Sequence, residues 1–282
     1  MQAGINLEFA RTEEIGIEDA FAKAAEAGYR FVEPYVYSPV SLAINSHLAI
    51  RSTTPYHHVH SDRTDPHEIN AFRARYGLEL SALDAHASLL LPQVGVPYVR
   101  RAIDFAAEVE CPIVMSDEGP VPEWMPLDRC FDVMCASLEA IIPHAQSRGV
   151  RYAVELHNAL TARPDMLVRL LERFAPEELG VNFDTGNAFL AGNDPVAYLR
   201  DVADRVIHVH VKDVPESQLP LRGKVTGTRV GVAAGDGVID LAGVVRVLAR
   251  AGYDGVLSVE CDTFEQARRS LPYMNRLFEE LS

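Results

Sequence analysis

The sequence has no hydrophobic run long enough to cross a membrane. Its 282 residues are 48% hydrophobic, yet no apolar stretch approaches the roughly 18 residues that a transmembrane helix needs. Residues 1–5 also lack the basic start and the apolar centre of a secretory signal peptide. We therefore expect a soluble, cytoplasmic protein with no membrane partner.

Positive charge is scarce in this chain. It has 26 Lys and Arg residues against 40 Asp and Glu residues, so its formal net charge is −14 at pH 7. The phosphate backbone of a nucleic acid would have to bind against this negative field. We therefore expect no nucleic acid partner.

Cysteine motifs and nucleotide-binding loops are missing too. The four cysteines (Cys111, Cys130, Cys135 and Cys261) form no Cys-x-x-Cys pair, and isolated thiols of this kind suit a reducing cytosol. No Gly-x-Gly-x-x-Gly turn follows the first strand-like segment, and no Walker-type loop occurs. These absences argue against a disulfide framework and against a nucleotide-binding sheet.

The sequence does contain a regular alternation of strand-like and helix-like segments. Strands are predicted at residues 4–9, 31–34, 78–85, 112–116, 152–155, 180–184, 206–213 and 256–260. Helices are predicted at residues 17–27, 66–76, 99–109, 127–148, 165–174, 195–202, 241–251 and 264–281. This alternation predicts an α/β fold, a (β/α)8 TIM barrel that forms one domain over residues 1–282, with a doubly wound open sheet as the alternative.

Polar residues capable of binding a metal end the last four predicted strands. These residues are Glu155, Asp184, His210 and Glu260. In a TIM barrel the carboxyl ends of the strands form the active-site face, so the four side chains are expected to converge. Three oxygen donors and one imidazole suit Mn²⁺ foremost, and Mg²⁺, Co²⁺ or Zn²⁺ as alternatives. We therefore expect one divalent metal ion as the cofactor.

Four short motifs surround these strand ends. They are Val154-Glu155-Leu156-His157-Asn158, Asn182-Phe183-Asp184-Thr185-Gly186-Asn187, His208-Val209-His210-Val211-Lys212-Asp213 and Ser258-Val259-Glu260. In these motifs the chain resembles the xylose isomerase-like TIM-barrel superfamily, and its sugar isomerase and epimerase branch most of all. The resemblance implies that Glu155 and Glu260 are catalytic acid/base groups as well as metal ligands. It implies that Asp184 and His210 complete the metal site.

The resemblance leaves two reactions open. The leading hypothesis is an isomerase or epimerase that removes a proton beside the carbonyl of a keto-sugar or related polyol, through an enediolate. The alternative is a lyase, dehydratase or hydratase that acts on an oxidised sugar, glycoside or inosose with the same site. Asn187 stands where the ketose epimerase pattern usually has a histidine. This difference weakens the epimerase assignment and retains the lyase as the alternative. An abasic-site nuclease of the endonuclease IV type fits poorly, because several of its further metal ligands have no counterpart.

Other residues near the strand ends are candidates for contact with a small carbohydrate substrate. His208 shares a strand face with His210 but lies one layer deeper, so we expect it to support that ligand. Lys212 follows His210 and reaches either a substrate oxygen or, as a surface lysine, Asp213. The expected substrate-binding residues are His157, Asn187, Lys212, His86 and Glu118.

Residues 35–64 show neither a helical nor a strand period. The segment carries His57, His58 and His60, but no carboxylate pattern completes a second metal site around them. We expect this segment to act as a lid over the substrate. We also expect the protein to form a homo-oligomer, either a dimer or a tetramer.

Overall fold

A computed structural model describes residues 1–37, 59–60, 64–227 and 231–281 of the chain. Within these residues the central feature is a sheet of nine parallel strands. The strands are β1 (Gln2–Asn6), β2 (Phe31–Glu33), β5 (Glu79–Leu80), β6 (Leu83–Asp84), β7 (Ile113–Ser116), β8 (Arg151–Glu155), β9 (Gly180–Asp184), β10 (Val206–Val211) and β11 (Val256–Val259). Their order in the sheet is β5-β2-β1-β11-β10-β9-β8-β7-β6. The pair β3 (Val36–Tyr37) and β4 (Val59–His60) forms a separate two-stranded parallel sheet.

The two edge strands of the large sheet, β5 and β6, follow each other in the chain and together occupy one strand position of the barrel. β5 pairs with β2 and β6 pairs with β7, while only residues 81 and 82 separate β5 from β6. The backbone N–H of Ser81 donates to Val32 O and that of Ala85 donates to Met115 O. The segment β5–β6 therefore pairs first with β2 and then with β7, and it nearly closes the sheet into a barrel. The result is the predicted (β/α)8 TIM barrel.

Helices follow the strands and cover the outside of the sheet. They are α1 (Glu8–Thr12), α2 (Ile17–Ala27), α3 (Pro66–Tyr76), α4 (Pro92–Glu108), α5 (Leu127–Ser147), α6 (Pro164–Arg173), α7 (Thr185–Leu190), α8 (Pro195–Val202), α9 (Leu241–Arg250) and α10 (Phe264–Leu281). Aspartates cap the amino ends of α3, α8 and α9, where Asp65, Asp194 and Asp240 accept hydrogen bonds from backbone N–H groups. Gly28 ends α2 in the left-handed conformation that glycine adopts freely, at φ 92°.

The barrel interior is polar at its upper end, where the strands have their carboxyl ends, and apolar below that level. Ala82, Ile113, Met115 and Ala153 form a small buried cluster that is separate from the large core between sheet and helices. Residues two apart on a strand share a face, so Glu155 lies above Ala153 on the inner side of β8. The apolar layer thus closes the bottom of the barrel, and polar strand ends fill its top.

Three predicted elements differ from the structure by more than two residues or are interrupted. The first strand ends at Asn6 rather than at residue 9, because the Asn6 side chain accepts the backbone N–H of Glu8 and starts a turn into α1. The third strand is split into β5 and β6. The helix predicted at 99–109 begins at Pro92 and includes Gly95, where a Cβ would lie 2.3 Å from Ser88 O. The close approach of this helix to Ser88 therefore requires a glycine at position 95.

The expected lid falls largely outside the described residues. His57 and His58 belong to the part that the structure does not describe, as does the side chain of His60. Across residues 1–37, 59–60, 64–227 and 231–281, no helix combines the length and the apolar character that a membrane crossing requires.

Asp213 organises the loop between β10 and α9. Its fully buried carboxylate accepts four backbone hydrogen bonds, from the N–H groups of Val214, Gly235, Gly237 and Ile239 at 2.9–3.1 Å. Replacing Asp213 with Ala leaves these donors without an acceptor, and we expect the free energy of unfolding to fall by about 2–4 kcal/mol. Chemical denaturation measures the loss. Asp254→Ala, at an exposed position, is the control, and equal midpoints for both variants would contradict the assignment.

Candidate metal centre

The four predicted metal ligands meet at the top of the barrel. Glu155 ends β8, Asp184 ends β9, His210 lies near the end of β10, and Glu260 follows β11. One ligand atom from each residue lies within 4.8 Å of those of the others, and all four residues are buried. The parallel register produces this convergence, because His210 pairs with Asp184 and its neighbour Val211 pairs with Val259.

His210 directs its two ring nitrogens to different partners. Nδ1 lies 3.2 Å from Glu155 Oε1 and 3.5 Å from Glu260 Oε2, so this nitrogen faces the other ligands. Nε2 lies 2.6 Å from Glu33 Oε1 on the opposite side of the ring. Within the candidate site, Nδ1 is therefore the nitrogen in position to bind a metal.

The donor set fits a divalent cation. Glu155 Oε2 is buried and lacks a hydrogen-bond partner within the described part of the chain, which is costly unless a cation completes its environment. Asp184 Oδ2 is buried as well and is paired with Lys212 at 3.4 Å without the geometry of a hydrogen bond. Burial raises the pKa of Asp184 to about 6 even though Lys212 opposes the shift. Three carboxylates and an imidazole offer the hard oxygen and borderline nitrogen donors of Mn²⁺, Mg²⁺, Co²⁺ and Zn²⁺ sites.

Lys212 contributes a positive charge to the same cluster. Its side chain is 3% exposed, and Nζ lies 2.8 Å from Glu260 Oε1 and 3.4 Å from Asp184 Oδ2. Burial lowers the pKa of Lys212, but the two carboxylates outweigh burial and raise that pKa above its ordinary value. The alternative of a surface lysine paired with Asp213 is wrong, because Lys212 is buried and the Asp213 oxygens bind backbone N–H groups.

Asn187 forms hydrogen bonds to three residues at or just after the strand ends. Its backbone N–H donates to Asp184 Oδ1 at 2.8 Å, and its side-chain amide donates to Leu156 O at 3.0 Å. Its Oδ1 accepts from Lys212 Nζ at 3.4 Å. The residue is buried, so these bonds hold Asp184 and Lys212 at fixed positions.

His86 and His157 form a second group beside the ligands. His86 Nε2 lies 3.3 Å from Asp84 Oδ2 and 3.8 Å from Glu155 Oε2. Asp117 joins the two histidines, because its carboxylate oxygens lie 3.4 Å from His86 Nδ1 and 3.2 Å from His157 Nδ1. The ring centroids are 5.0 Å apart. The group thus extends from Glu155 outward.

The two histidines are suited to donate protons. Burial lowers the pKa of His86, but the charges of Asp84 and Glu155 outweigh burial and raise that pKa well above its usual value. The pKa of His157 is also raised, because Asp117 outweighs the effect of burial. Their side chains are 24% and 37% exposed, so a ligand can reach them from solvent.

His208 and Glu118, which the sequence also singled out, contact His210 and the loop after β8, respectively. His208 packs its ring edge-on to His210, with centroids 5.6 Å apart, and its Nδ1 lies 3.0 Å from Asn182 Oδ1. Glu118 is fully buried, and its carboxylate accepts from Leu160 N–H, Thr161 N–H and Thr161 Oγ1. The structure therefore gives Glu118 the role of holding the loop after β8.

Sequence reasoning missed three carboxylates of this region. Glu33, Asp84 and Asp117 are buried and contact the histidines described above. Glu33 carried a usable signal, because it ends the apolar run Phe31-Val32 in the way that Glu155 and Glu260 end theirs. Asp117 and Asp84 lie within or beside predicted strands and offered the same clue.

A family model described as xylose isomerase-like TIM barrel matches residues 21–277. The chain therefore belongs to the xylose isomerase-like TIM barrel family. The match covers the barrel from α2 to α10 and includes the four residues of the candidate metal centre.

Curated relatives match parts of the chain. An uncharacterized protein of Methanocaldococcus jannaschii is 27% identical over 195 residues, which cover 65% of this chain and 62% of that protein. The inosose dehydratase of Lacticaseibacillus casei is 28% identical over 166 residues, covering 52% of this chain and 55% of that enzyme. The chain thus spans less than two thirds of the length of either relative.

Solved structures resemble the fold along the whole chain. A D-tagatose 3-epimerase-like protein superposes with a TM-score of 0.80 at 20% identity, covering 100% of this chain and 98% of that chain. An L-ribulose 3-epimerase superposes with a TM-score of 0.73 at 15% identity, covering 99% and 95%. At these identities the likeness establishes the fold alone.

Metal binding can be measured directly by calorimetric titration of Mn²⁺, Mg²⁺, Co²⁺ and Zn²⁺ into protein treated with a chelator. We expect one ion per chain, and a rise in stability of about 2.7 kcal/mol when the ion is present at 100 times its dissociation constant. Asp184→Asn removes a charged ligand and should weaken binding at least about 100-fold. Asp201→Asn, at an exposed position, should bind like the natural protein. Equal affinity of Asp184→Asn would contradict the assignment.

Proposed function

We propose that the chain is a divalent-metal-dependent isomerase or epimerase that removes a proton beside the carbonyl of a keto-sugar or related polyol. One observation supports this proposal above the others. Two glutamates, Glu155 and Glu260, reach the same candidate metal centre from strands that lie apart in the barrel order. This arrangement supplies two carboxylates for one reacting carbon.

The metal would polarise the carbonyl group of the substrate, and the glutamates would transfer the protons. A divalent ion, Mn²⁺ foremost, held by Glu155, Asp184, His210 and Glu260 would polarise the carbonyl oxygen and stabilise the negative charge that develops there. Glu260 accepts the proton from the neighbouring carbon as a general base. Lys212 Nζ, at 2.8 Å from Glu260 Oε1, holds that carboxylate in position before the transfer.

The second glutamate completes an isomerisation or epimerisation. β8, which carries Glu155, and β11, which precedes Glu260, are separated by β9 and β10 in the sheet. A substrate bound between them presents a different face to each carboxylate. Glu155 can therefore deliver a proton, taken up from water, to the face opposite the one from which Glu260 removed it, and Glu260 then releases its own proton to water.

A dehydratase is the second candidate, and the histidine group favours it. After the carbon–hydrogen bond breaks, its electron pair forms a carbon–carbon double bond and expels a β-hydroxyl group, which leaves as water with a proton from the protein. His86 lies 3.8 Å from Glu155 Oε2 and is held by Asp84 and Asp117, so it can supply that proton. Inosose dehydratases occur among the curated relatives, which supports the same outcome.

The substrate, the oligomeric state and the location of the enzyme follow from the same reasoning. We propose a small carbohydrate as the substrate, a homo-oligomer as the working form and the cytoplasm as the location. The four cysteines are free and buried, which suits a reducing compartment.

Proton abstraction can be followed by deuterium exchange. Metal-loaded protein is incubated in D₂O with a panel of ketoses, 3-keto-glycosides and inososes, and mass spectrometry measures deuterium beside the carbonyl. We expect incorporation with the natural protein and a loss of about 100-fold or more in Glu260→Gln at saturating metal, because the amide cannot accept the proton.

Glu265→Gln is the matched control for that exchange experiment. Glu265 lies on α10 and its exposed side chain pairs with Arg268, so exchange should continue at the natural rate. Exchange at the natural rate in metal-saturated Glu260→Gln would show that another group is the base.

The product formed by a His86→Gln variant separates the two candidate reactions. A dehydratase should lose about 100-fold or more in dehydrated product, because its general acid is gone, while deuterium exchange beside the carbonyl persists. An epimerase should yield no dehydrated product, and its epimer should form in this variant within about tenfold of the natural rate. His144→Gln, which alters a histidine paired with Asp104 on the outer helices, is the control.

A further inference from the structure

We propose that Glu33 is a positioning residue that makes His210 a metal ligand through Nδ1. The inference rests on the proposed metal-dependent function, and it assigns a role to a residue outside the four ligands. Glu33 ends β2, on the far side of β1 and β11 from His210 in the sheet order. Its side chain crosses the barrel interior to reach the histidine.

The contact determines which nitrogen of His210 carries the hydrogen. Glu33 Oε1 lies 2.6 Å from His210 Nε2, and both residues are fully buried. A histidine that binds a metal through one ring nitrogen carries its hydrogen on the other. Glu33 Oε1 is placed to accept a hydrogen bond from Nε2. Nδ1, which faces Glu155 and Glu260, is then the nitrogen available to an ion.

Glu33 is itself held in place. Its backbone pairs with Asn6 in the parallel register of β1 and β2, and its carbonyl oxygen accepts the N–H of Leu7 at 3.0 Å. Its second carboxylate oxygen lies 3.6 Å from Nε2 of His208, whose Nδ1 contacts Asn182. The strand pairing thus fixes the backbone of Glu33, and the 2.6 Å contact with His210 Nε2 orients its carboxylate toward that ring.

A second metal ion between Glu33, His208 and His210 is the competing explanation. One ligand atom from each of the three lies within 4.8 Å of those of the others. An ion needs about 2.0–2.2 Å to each nitrogen or oxygen ligand in an open geometry, which sets the two ligand atoms about 3 Å or more apart. The 2.6 Å between Glu33 Oε1 and His210 Nε2 is the length of a charge-assisted hydrogen bond.

The negative charge of Glu33 also makes the histidine a stronger ligand. A carboxylate that accepts the second N–H of a metal-bound histidine fixes the ring and raises its basicity, and its loss weakens metal binding about 10- to 100-fold. Glu33→Gln keeps the size and an acceptor oxygen but removes the charge. Glu33→Leu removes the acceptor as well, so its effect should be larger.

The test combines affinity with a spectroscopic signature. Calorimetry gives the dissociation constant and the number of Zn²⁺ or Mn²⁺ ions per chain for the natural protein, Glu33→Gln and Glu33→Leu. Glu139→Gln is the control, because it makes the same chemical change at an exposed position, where Glu139 pairs with Arg173 on the outer helices. Nitrogen-15 NMR of the Zn²⁺-loaded natural protein shows which ring nitrogen of His210 binds the ion.

We expect one ion per chain, Nδ1 coordination with a strongly hydrogen-bonded Nε2–H, and dissociation constants that rise from the natural protein through Glu33→Gln to Glu33→Leu. Glu139→Gln should keep the natural affinity. Coordination through Nε2, a second ion that Glu33→Leu abolishes, or natural affinity in Glu33→Gln would overturn the proposal. If Glu33→Leu does not fold, the isosteric Glu33→Gln and the NMR of the natural protein still decide. A natural protein that binds no ion would instead contradict the proposed function.

Discussion

The upper end of the barrel depends on balancing charges that water does not reach. Glu155, Asp184 and Glu260 approach one another in a buried space, and each ionised carboxylate there needs a cation or a donor. The parallel strands bring the groups together, and Lys212 and the histidines keep the cluster from being uniformly negative. The chemistry proposed for the site uses this same concentration of negative charge, which is what attracts a divalent ion.

Much of the architecture could be predicted from the sequence, because local patterns and tertiary structure agree. Apolar periods placed most helices within one or two residues, and proline or aspartate at the helix starts gave the boundaries of α3, α8 and α9. The sequence allowed the four candidate metal ligands to be predicted because each one lies at the end of an apolar strand. That signal is strong when it recurs on consecutive strands of a parallel barrel.

The remaining features depend on contacts between distant segments. Nothing near residue 33 in the sequence shows that its side chain reaches His210, which is separated from it by 177 residues along the chain. The burial of Lys212 could not be predicted either, because Gly186 makes room for it from another strand end. A Cβ at that glycine would lie 2.6 Å from Lys212 Cγ. The split of the third strand likewise reflects closure of the barrel rather than any local pattern.

The ammonium group of Lys212 has a consequence for the charge that the folded chain carries without any ligand. It places one positive charge between Asp184 and Glu260 that belongs to the polypeptide itself. Small zinc domains, in contrast, fold only together with their ion. In this chain part of the counter-charge is built into a strand end, so an ion at the candidate metal centre would add to a balance that the polypeptide has already begun.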